Sequence, residues 1–410
     1  MIGYVWPEAE SSAAGLRTWN WIRCFRQANW EIVFASASQE NEFTEKLKQF
    51  GVITHPIQAN QPAFDSWIRH LRPDFVLFDR FVTEEQFGWR VQENAPQAVR
   101  VLDTQDLHFL RRARESALKN GTSLDDLAAC RFPLVTEDTL RELGAIYRSD
   151  WSLMISDFET QLLQQKFLIP KALLSTFRFQ YPEQTPISPS YSDRENFVMI
   201  GNFRHPPNRD GILWFRKEIW PLIRKKISKA QVHIYGAYPP REMMQLSDPE
   251  HRFFVKGPCA NQFETLMKYK VNLAPLRFGA GIKGKISDGW WAGTPVVATE
   301  IGSEGMAEDL PWGGAISNRP DEFADLAVEL YQNECLWNVA QKNGYQILQR
   351  HYSTQKNSDI FLSRLIMLQS DLESRRQANL IGAILSHHTC RSTKYFSKWI
   401  EAKNQVPQSQ

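Results

Sequence analysis

The chain has 410 residues, 42% of them hydrophobic and 23% charged, with a net charge of +2. That length argues for two domains, each large enough to bury a core without disulfide or metal staples, and the composition excludes a largely disordered chain. The near-neutral balance excludes a global basic field for nucleic acid. Cys24, Cys130, Cys259, Cys335 and Cys390 lie far apart with no Cys-x-x-Cys pair, which excludes a zinc ribbon or thioredoxin-like motif and fits reduced thiols in the cytoplasm.

From Met1 the chain enters a strand pattern, with no basic leader and no cleavage site. No run approaches the ~18 apolar residues of a membrane span. The expected location is the cytoplasm. Residues 2–5, 32–35, 75–78, 99–102 and 153–155 read as buried strands separated by amphipathic segments, the first marked by Leu16, Trp19, Ile22 and Phe25 at helical spacing. The order β-α-β-α implies a parallel sheet covered by helices on both faces.

Residues 181–194 carry Pro182, Pro186 and Pro189 among polar neighbours and read as a linker, placing a domain boundary near residue 185. The second half repeats the scheme, with strands expected at 197–200, 232–235, 253–255, 271–274 and 296–298 and helices after Asp321. In residues 371–410 the basic side chains Arg375, Arg376, Arg391, Lys394, Lys398 and Lys403 outnumber Asp371, Glu373 and Glu401. The expectation is a surface helix with a disordered tail, the alternative a basic contact with an anionic membrane surface. The fold class is therefore α/β, with two doubly wound parallel-sheet domains facing across a cleft that can hold two substrates against each other.

The segment richest in chemistry runs from Ala274 to Asp288. A strand ends in a turn holding Gly279, Gly281 and Gly284, and a helix begins near Lys283. Free N–H groups at a helix start favour a phosphate, and glycines let the backbone approach it. Lys283 and Lys285 are placed to neutralise a diphosphate, and Asp288, one turn on, to accept from ribose hydroxyls. The same glycines match G-x-G-x-x-G, with Glu300 about 20 residues later, which on paper is a dinucleotide fingerprint. The short helix, its two lysines and the late position of the motif in its domain count against NAD.

Gly279 to Gly305, with Pro-Val-Val-Ala-Thr at 295–299 and Gly-Ser-Glu-Gly at 302–305, resembles the C-terminal signature of GT-B glycosyltransferases of the family 4 type (glycosyl transferases group 1). Gly201-Asn202-Phe203 resembles the loop opening the C-terminal domain, and Ser11 to Arg17 the N-terminal glycine loop. The resemblance runs from about Ile2 to Phe361. It implies an acceptor-side Rossmann-like domain over 1–185, a nucleotide-sugar domain over 186–370, and a basic tail over 371–410. It also implies sugar transfer from a nucleotide diphosphate to an acceptor hydroxyl, with retention, no metal and no cofactor. The partners are then the nucleotide sugar and a carbohydrate or lipid-linked acceptor. The chain has no Asp-x-Asp motif.

Residue by residue, the resemblance implies donor binding by Gly15, Arg204, Arg209, Gly281, Lys283, Lys285, Asp288 and Glu304. It places His108 near the donor sugar, with Asp103 or Asp106 orienting it, and gives His108, Asp106 and Lys283 the catalytic work. Two departures stand out. Ala280 sits where the family has its first acid, and Asn202 where it commonly has arginine, so that Arg204 and Arg209 are expected to take that work. The rival readings are a non-catalytic nucleotide-binding protein of the same fold and an NAD-linked oxidoreductase.

Overall fold

The computed structural model describes residues 1–9, 12–59, 61–387, 395 and 399. Thirteen strands among them form two sheets. The first takes β1 (Ile2–Gly3), β2 (Val33–Ser36), β3 (Ile53–Pro56), β4 (Phe75–Asp79), β5 (Val99–Asp103), β6 (Trp151–Met154) and β7 (Leu174–Thr176). Its spatial order is β3-β2-β1-β4-β5-β6-β7, and every pairing is parallel. The second takes β8 (Glu195–Ile200), β9 (Val232–Tyr235), β10 (Phe253–Gly257), β11 (Tyr269–Ala274), β12 (Val296–Ala298) and β13 (Gly314–Ile316), in the order β10-β9-β8-β11-β12-β13, again all parallel.

These strands are apolar on both faces because helices cover both. In β4 and β5, Val76, Phe78 and Leu102 face one core cluster while Leu77, Val99 and Val101 face another, the alternation that a pleat of period two imposes. In each sheet the winding reverses once, between β1 and β4 and between β8 and β11. Such switch points open a crevice at the carboxyl ends of the strands. The two crevices face each other and make the cleft.

The strands not anticipated, β3, β7 and β13, are short edge elements; β3 is largely uncovered, and Pro56 ends it. Edge strands lack the continuous apolar run that betrays a central one.

The second difference concerns the end of the chain. The helix Thr354–Ser370, expected to belong with residues 186–370, returns to the first sheet and buries Phe361, Leu365 and Leu368 beside Trp21, Trp151 and Phe177. Phe361 lies 4.3 Å from Trp21 between ring centroids. The following helices, Leu372–Ala378 and Leu380–Ser386, stay on that domain. Arg376 pairs with Asp150 at 2.7 Å and donates to Ala98 O, and Asn379 donates to Tyr147 O. A helical stripe in the sequence says that a core exists, not which one it joins. Of the basic tail residues, Arg391, Lys394, Lys398 and Lys403 lie outside the described residues.

Candidate functional site

A cavity of about 550 Å³ lies between the two sheets, lined from one side by Ala13, Ala14, Gln105, Asp106, His108 and Arg111 and from the other by Asn202, Arg204, His205, Asn208 and residues 278–280 and 282–285. Each wall is built at strand ends.

On the second domain, β11 ends at Ala274 and the turn leads to the helix Gly284–Trp291, with Lys283 at its N-cap and no side chain capping it. The start of this helix lies on the cavity, which Lys283, Gly284, Lys285 and Asp288 all line. Lys283 Nζ donates to Gly281 O at 2.6 Å, and Lys285 Nζ donates to Asn208 Oδ1 at 2.5 Å. Burial disfavours both ammonium groups, pushing Lys283 down to about 8 and Lys285 down to about 7. Gly201 is a glycine for a spatial reason: a Cβ there would come within 2.7 Å of Asn208 Nδ2 and 2.9 Å of Lys285 Nζ. Asp288 accepts from the Tyr181 hydroxyl at 2.6 Å, and burial pushes its carboxyl up to about 7 despite that bond.

On the first domain, β5 ends at Asp103, and Gln105 then turns the chain with φ 64°. Asp106 Oδ1 stands 3.2 Å from His108 Nε2, and the other carboxylate oxygen accepts from Arg111. Burial opposes ionisation of Asp106, but Arg111 and His108 outweigh it and hold the carboxyl well below the usual range. Asp103, the alternative orienting residue, is spent on other partners: it is fully buried, accepting from Arg17 Nε at 2.7 Å, Trp21 Nε1 at 2.8 Å and Gln105 Nε2 at 3.3 Å.

The helix His108–Lys119 lacks a side-chain cap of its own. Glu142 supplies one from another helix, accepting from His108 N at 3.1 Å and Phe109 N at 3.0 Å. Glu159 accepts from Leu107 N at 2.9 Å.

The cleft thus brings together Asp106, His108, Arg204, Lys283, Lys285 and Asp288. Arg204 lies 3.7 Å from the Tyr238 ring centroid, and the Tyr238 hydroxyl donates to Glu8 of the first domain at 2.9 Å. Four residues expected at the donor fall elsewhere. Gly15 packs on the Glu8 backbone, where a Cβ would meet Glu8 O at 2.2 Å. Arg209 faces Glu242 at 3.7 Å on the helix Pro206–Trp214. Gly281 lines no part of the cavity, and its N–H is taken by Glu159 Oε1 at 2.8 Å. Glu304 is spent on Arg114, at 2.5 and 2.9 Å.

Sequence reasoning missed His205 and Asn208. His205 precedes Pro206 at the opening of a helix, and the walls around it, with Arg111 opposite, favour the neutral ring. A histidine before Pro-Pro just past a strand end was the available signal. Glu142 and Glu159 gave none, being ordinary helix residues in the sequence.

Residues 194–333 match the sequence model of the family described as Glycosyl transferases group 1. A protein of Klebsiella pneumoniae, named as an uncharacterized 44.6 kDa protein in the cps region, is 22% identical over 168 residues, which span 39% of this chain and 43% of that protein. The match thus covers less than half the length of that relative. Among solved structures, Anabaena Alr3699/HepE in complex with UDP-glucose superposes with a TM-score of 0.66 at 11% identity, covering 90% of this chain and 99% of that one. Sucrose-phosphate synthase from Thermosynechococcus elongatus gives 0.64 at 12% identity over the same shares. A glycosyltransferase of Rickettsia africae gives 0.64 at 9%, over 89% and 97%. Residues 194–333, which carry the lysine-bearing helix at the strand ends of the second sheet, thus match a Glycosyl transferases group 1 domain, in a chain whose two facing parallel sheets form the GT-B fold.

Proposed function

We propose that the chain transfers a sugar from a nucleoside-diphosphate donor to an acceptor hydroxyl, with retention and without a metal ion. The observation that carries the reading is the pair Lys283 and Lys285 at an uncapped helix N-terminus inside the cleft. Departure of the diphosphate gathers negative charge as the glycosidic bond lengthens. Cationic groups already in place in a partly dry site stabilise that charge most. Lys283, Lys285 and the first N–H groups of Gly284–Trp291 supply them, with Arg204 on the rim. Asp288 is placed to accept from the ribose hydroxyls.

On the opposite wall His108, held by Asp106, faces the sugar. Asp106 is kept ionised by Arg111 and therefore serves to orient the ring rather than to exchange a proton. In this reading the acceptor attacks on the face that the diphosphate leaves, and a diphosphate oxygen takes its proton. The acceptor, a carbohydrate or lipid-linked saccharide, lies against the first domain. The Klebsiella relative's cps-region origin supports a setting in polysaccharide assembly, on the cytoplasmic side. No helix among the described residues is long and apolar enough to cross a membrane. Exposed Leu380, Ile381 and Ile384, with exposed Tyr395 and Trp399 flanked in sequence by Lys394 and Lys398, support contact with an anionic membrane surface.

A second reading, a binding protein that has lost turnover, is favoured by Ala280, whose side chain offers the donor sugar no hydrogen bond. Thermal-shift titration with UDP, GDP and NAD, followed by donor hydrolysis, separates the readings. Stabilisation by UDP or GDP with Lys283-dependent release of nucleotide supports transfer. Binding without release against any acceptor supports the second reading. Stabilisation by NAD alone overturns both.

A further inference from the structure

Glu159 belongs to the first domain, in the first turn of the helix Asp157–Lys166, and its side chain is fully buried. One oxygen, Oε1, accepts two backbone hydrogens, from Leu107 N at 2.9 Å and from Gly281 N at 2.8 Å. The other, Oε2, is buried with no hydrogen-bond partner among the described residues. A carboxylate held dry and half-satisfied is unfavourable for folding alone, which draws attention to what its two bonds connect.

The first bond ends on the residue between Asp106 and His108. The second crosses 122 residues of sequence into the other domain and ends on the glycine turn. There the residue Gly281 is held on both sides of its Cα: Glu159 takes the N–H, and Lys283 Nζ donates to the carbonyl at 2.6 Å. The turn is pressed against the first domain so closely that a Cβ on Gly281 would meet Asp106 Cβ at 3.0 Å and Ile155 Cγ2 at 3.1 Å, and φ there is +64°. Arg114 fixes the same turn from the same side, donating to Gly279 O at 2.9 Å.

We propose that Glu159 is a positioning residue that couples the two halves of the site. Its Oε1 fixes Gly281, and through that residue the ammonium of Lys283, in register with the loop that carries Asp106 and His108. This rests on the nucleotide-sugar reading for the identity of the ligand but not for the coupling itself. Opening of the domains must break the Glu159–Gly281 bond, so the lysine arrangement that meets a diphosphate exists only when the acceptor-side loop is in place.

The test compares Glu159→Ala, Glu159→Asp and Glu159→Gln in the full chain. Glutamine keeps a carbonyl oxygen for both N–H donors. Alanine removes it, and aspartate is one methylene too short to serve both. Two measurements are made: hydrogen exchange across residues 279–283 without ligand, and UDP affinity by calorimetry. Coupling predicts fast exchange in this turn and UDP binding weakened about tenfold or more in Glu159→Ala and Glu159→Asp, with Glu159→Gln within about threefold of the parent chain. A merely structural role would lower Tm while leaving exchange at the turn and UDP affinity of the folded protein unchanged, and that result overturns the proposal. So does a Glu159→Gln protein as impaired as Glu159→Ala. Should exchange respond as expected while the parent chain binds neither UDP nor GDP, the coupling stands and the donor reading fails.

Discussion

Lys285→Met is the substitution that most directly separates binding from folding. Lys285 Nζ is half-buried between the walls of the cleft and bonded to Asn208 Oδ1 at 2.5 Å. Methionine preserves the apolar stem and removes the charge. Two unit charges about 4 Å apart at an effective dielectric of about 20 attract by about 4 kcal/mol. Truncating one partner of a buried charge pair costs about 2–5 kcal/mol.

Because burial leaves Lys285 at about 7, the empty site near neutrality carries only part of that charge, and the lower half of the range applies. The expected loss is about 2–3 kcal/mol of UDP affinity, roughly 30- to 150-fold. Stability should hardly move, since the relief of a buried ammonium offsets the Asn208 oxygen left without its donor, each worth about 1–3 kcal/mol.

The sign with pH follows from the same group. Burial lowers the pKa of Lys283 and Lys285 in the free protein and a bound diphosphate raises it, so binding takes up protons and affinity falls as pH climbs from about 7 towards the ordinary lysine range. Calorimetry of UDP in two buffers of different ionisation enthalpy reads both quantities. A Lys285→Met protein that binds UDP within about threefold of the parent, or binding by the parent with no proton uptake, would refute the placement of the diphosphate.

Tyr181→Phe removes the hydroxyl that restrains the Asp288 carboxyl, so the acid limb of the UDP affinity profile, set near 7 by burial of Asp288, should move to higher pH; an unmoved limb excludes Asp288 from the ribose site. Phe361→Ala empties a site among Trp21, Trp151 and Phe177 and should cost about 3–5 kcal/mol in urea unfolding, whereas a loss under about 1 kcal/mol would mean that the returning helix is not part of the first core. The full chain should sediment with vesicles containing anionic phosphatidylglycerol and not with neutral phosphatidylcholine ones, with release by high salt; equal recovery from both removes the membrane contact.

Whatever a single stretch of chain determines is legible in the order of its residues. Buried strands wear continuous apolar runs, and β2, β4, β5, β9 and β12 lie within a residue or two of such runs for that reason. The segment from Lys283 to Asp288 carries its own meaning, because a glycine turn, an uncapped helix start and two lysines lie within a few residues of one another. Asp106 and His108 are likewise neighbours in sequence and meet in space.

What the tertiary structure decided is which side chains spend their charge on each other. Glu304 stands within the signature yet answers to Arg114, 190 residues away, and Asp103 answers to Arg17, 86 away. The Gly281 N–H, free on paper for a phosphate, is claimed by a glutamate from the other domain. Hydrogen bonds and ion pairs act over a few ångströms, and sequence separation carries no trace of them until two sheets pack face to face. The same holds for the helix Thr354–Ser370, whose apolar stripe fits either core until the chain's path selects the first.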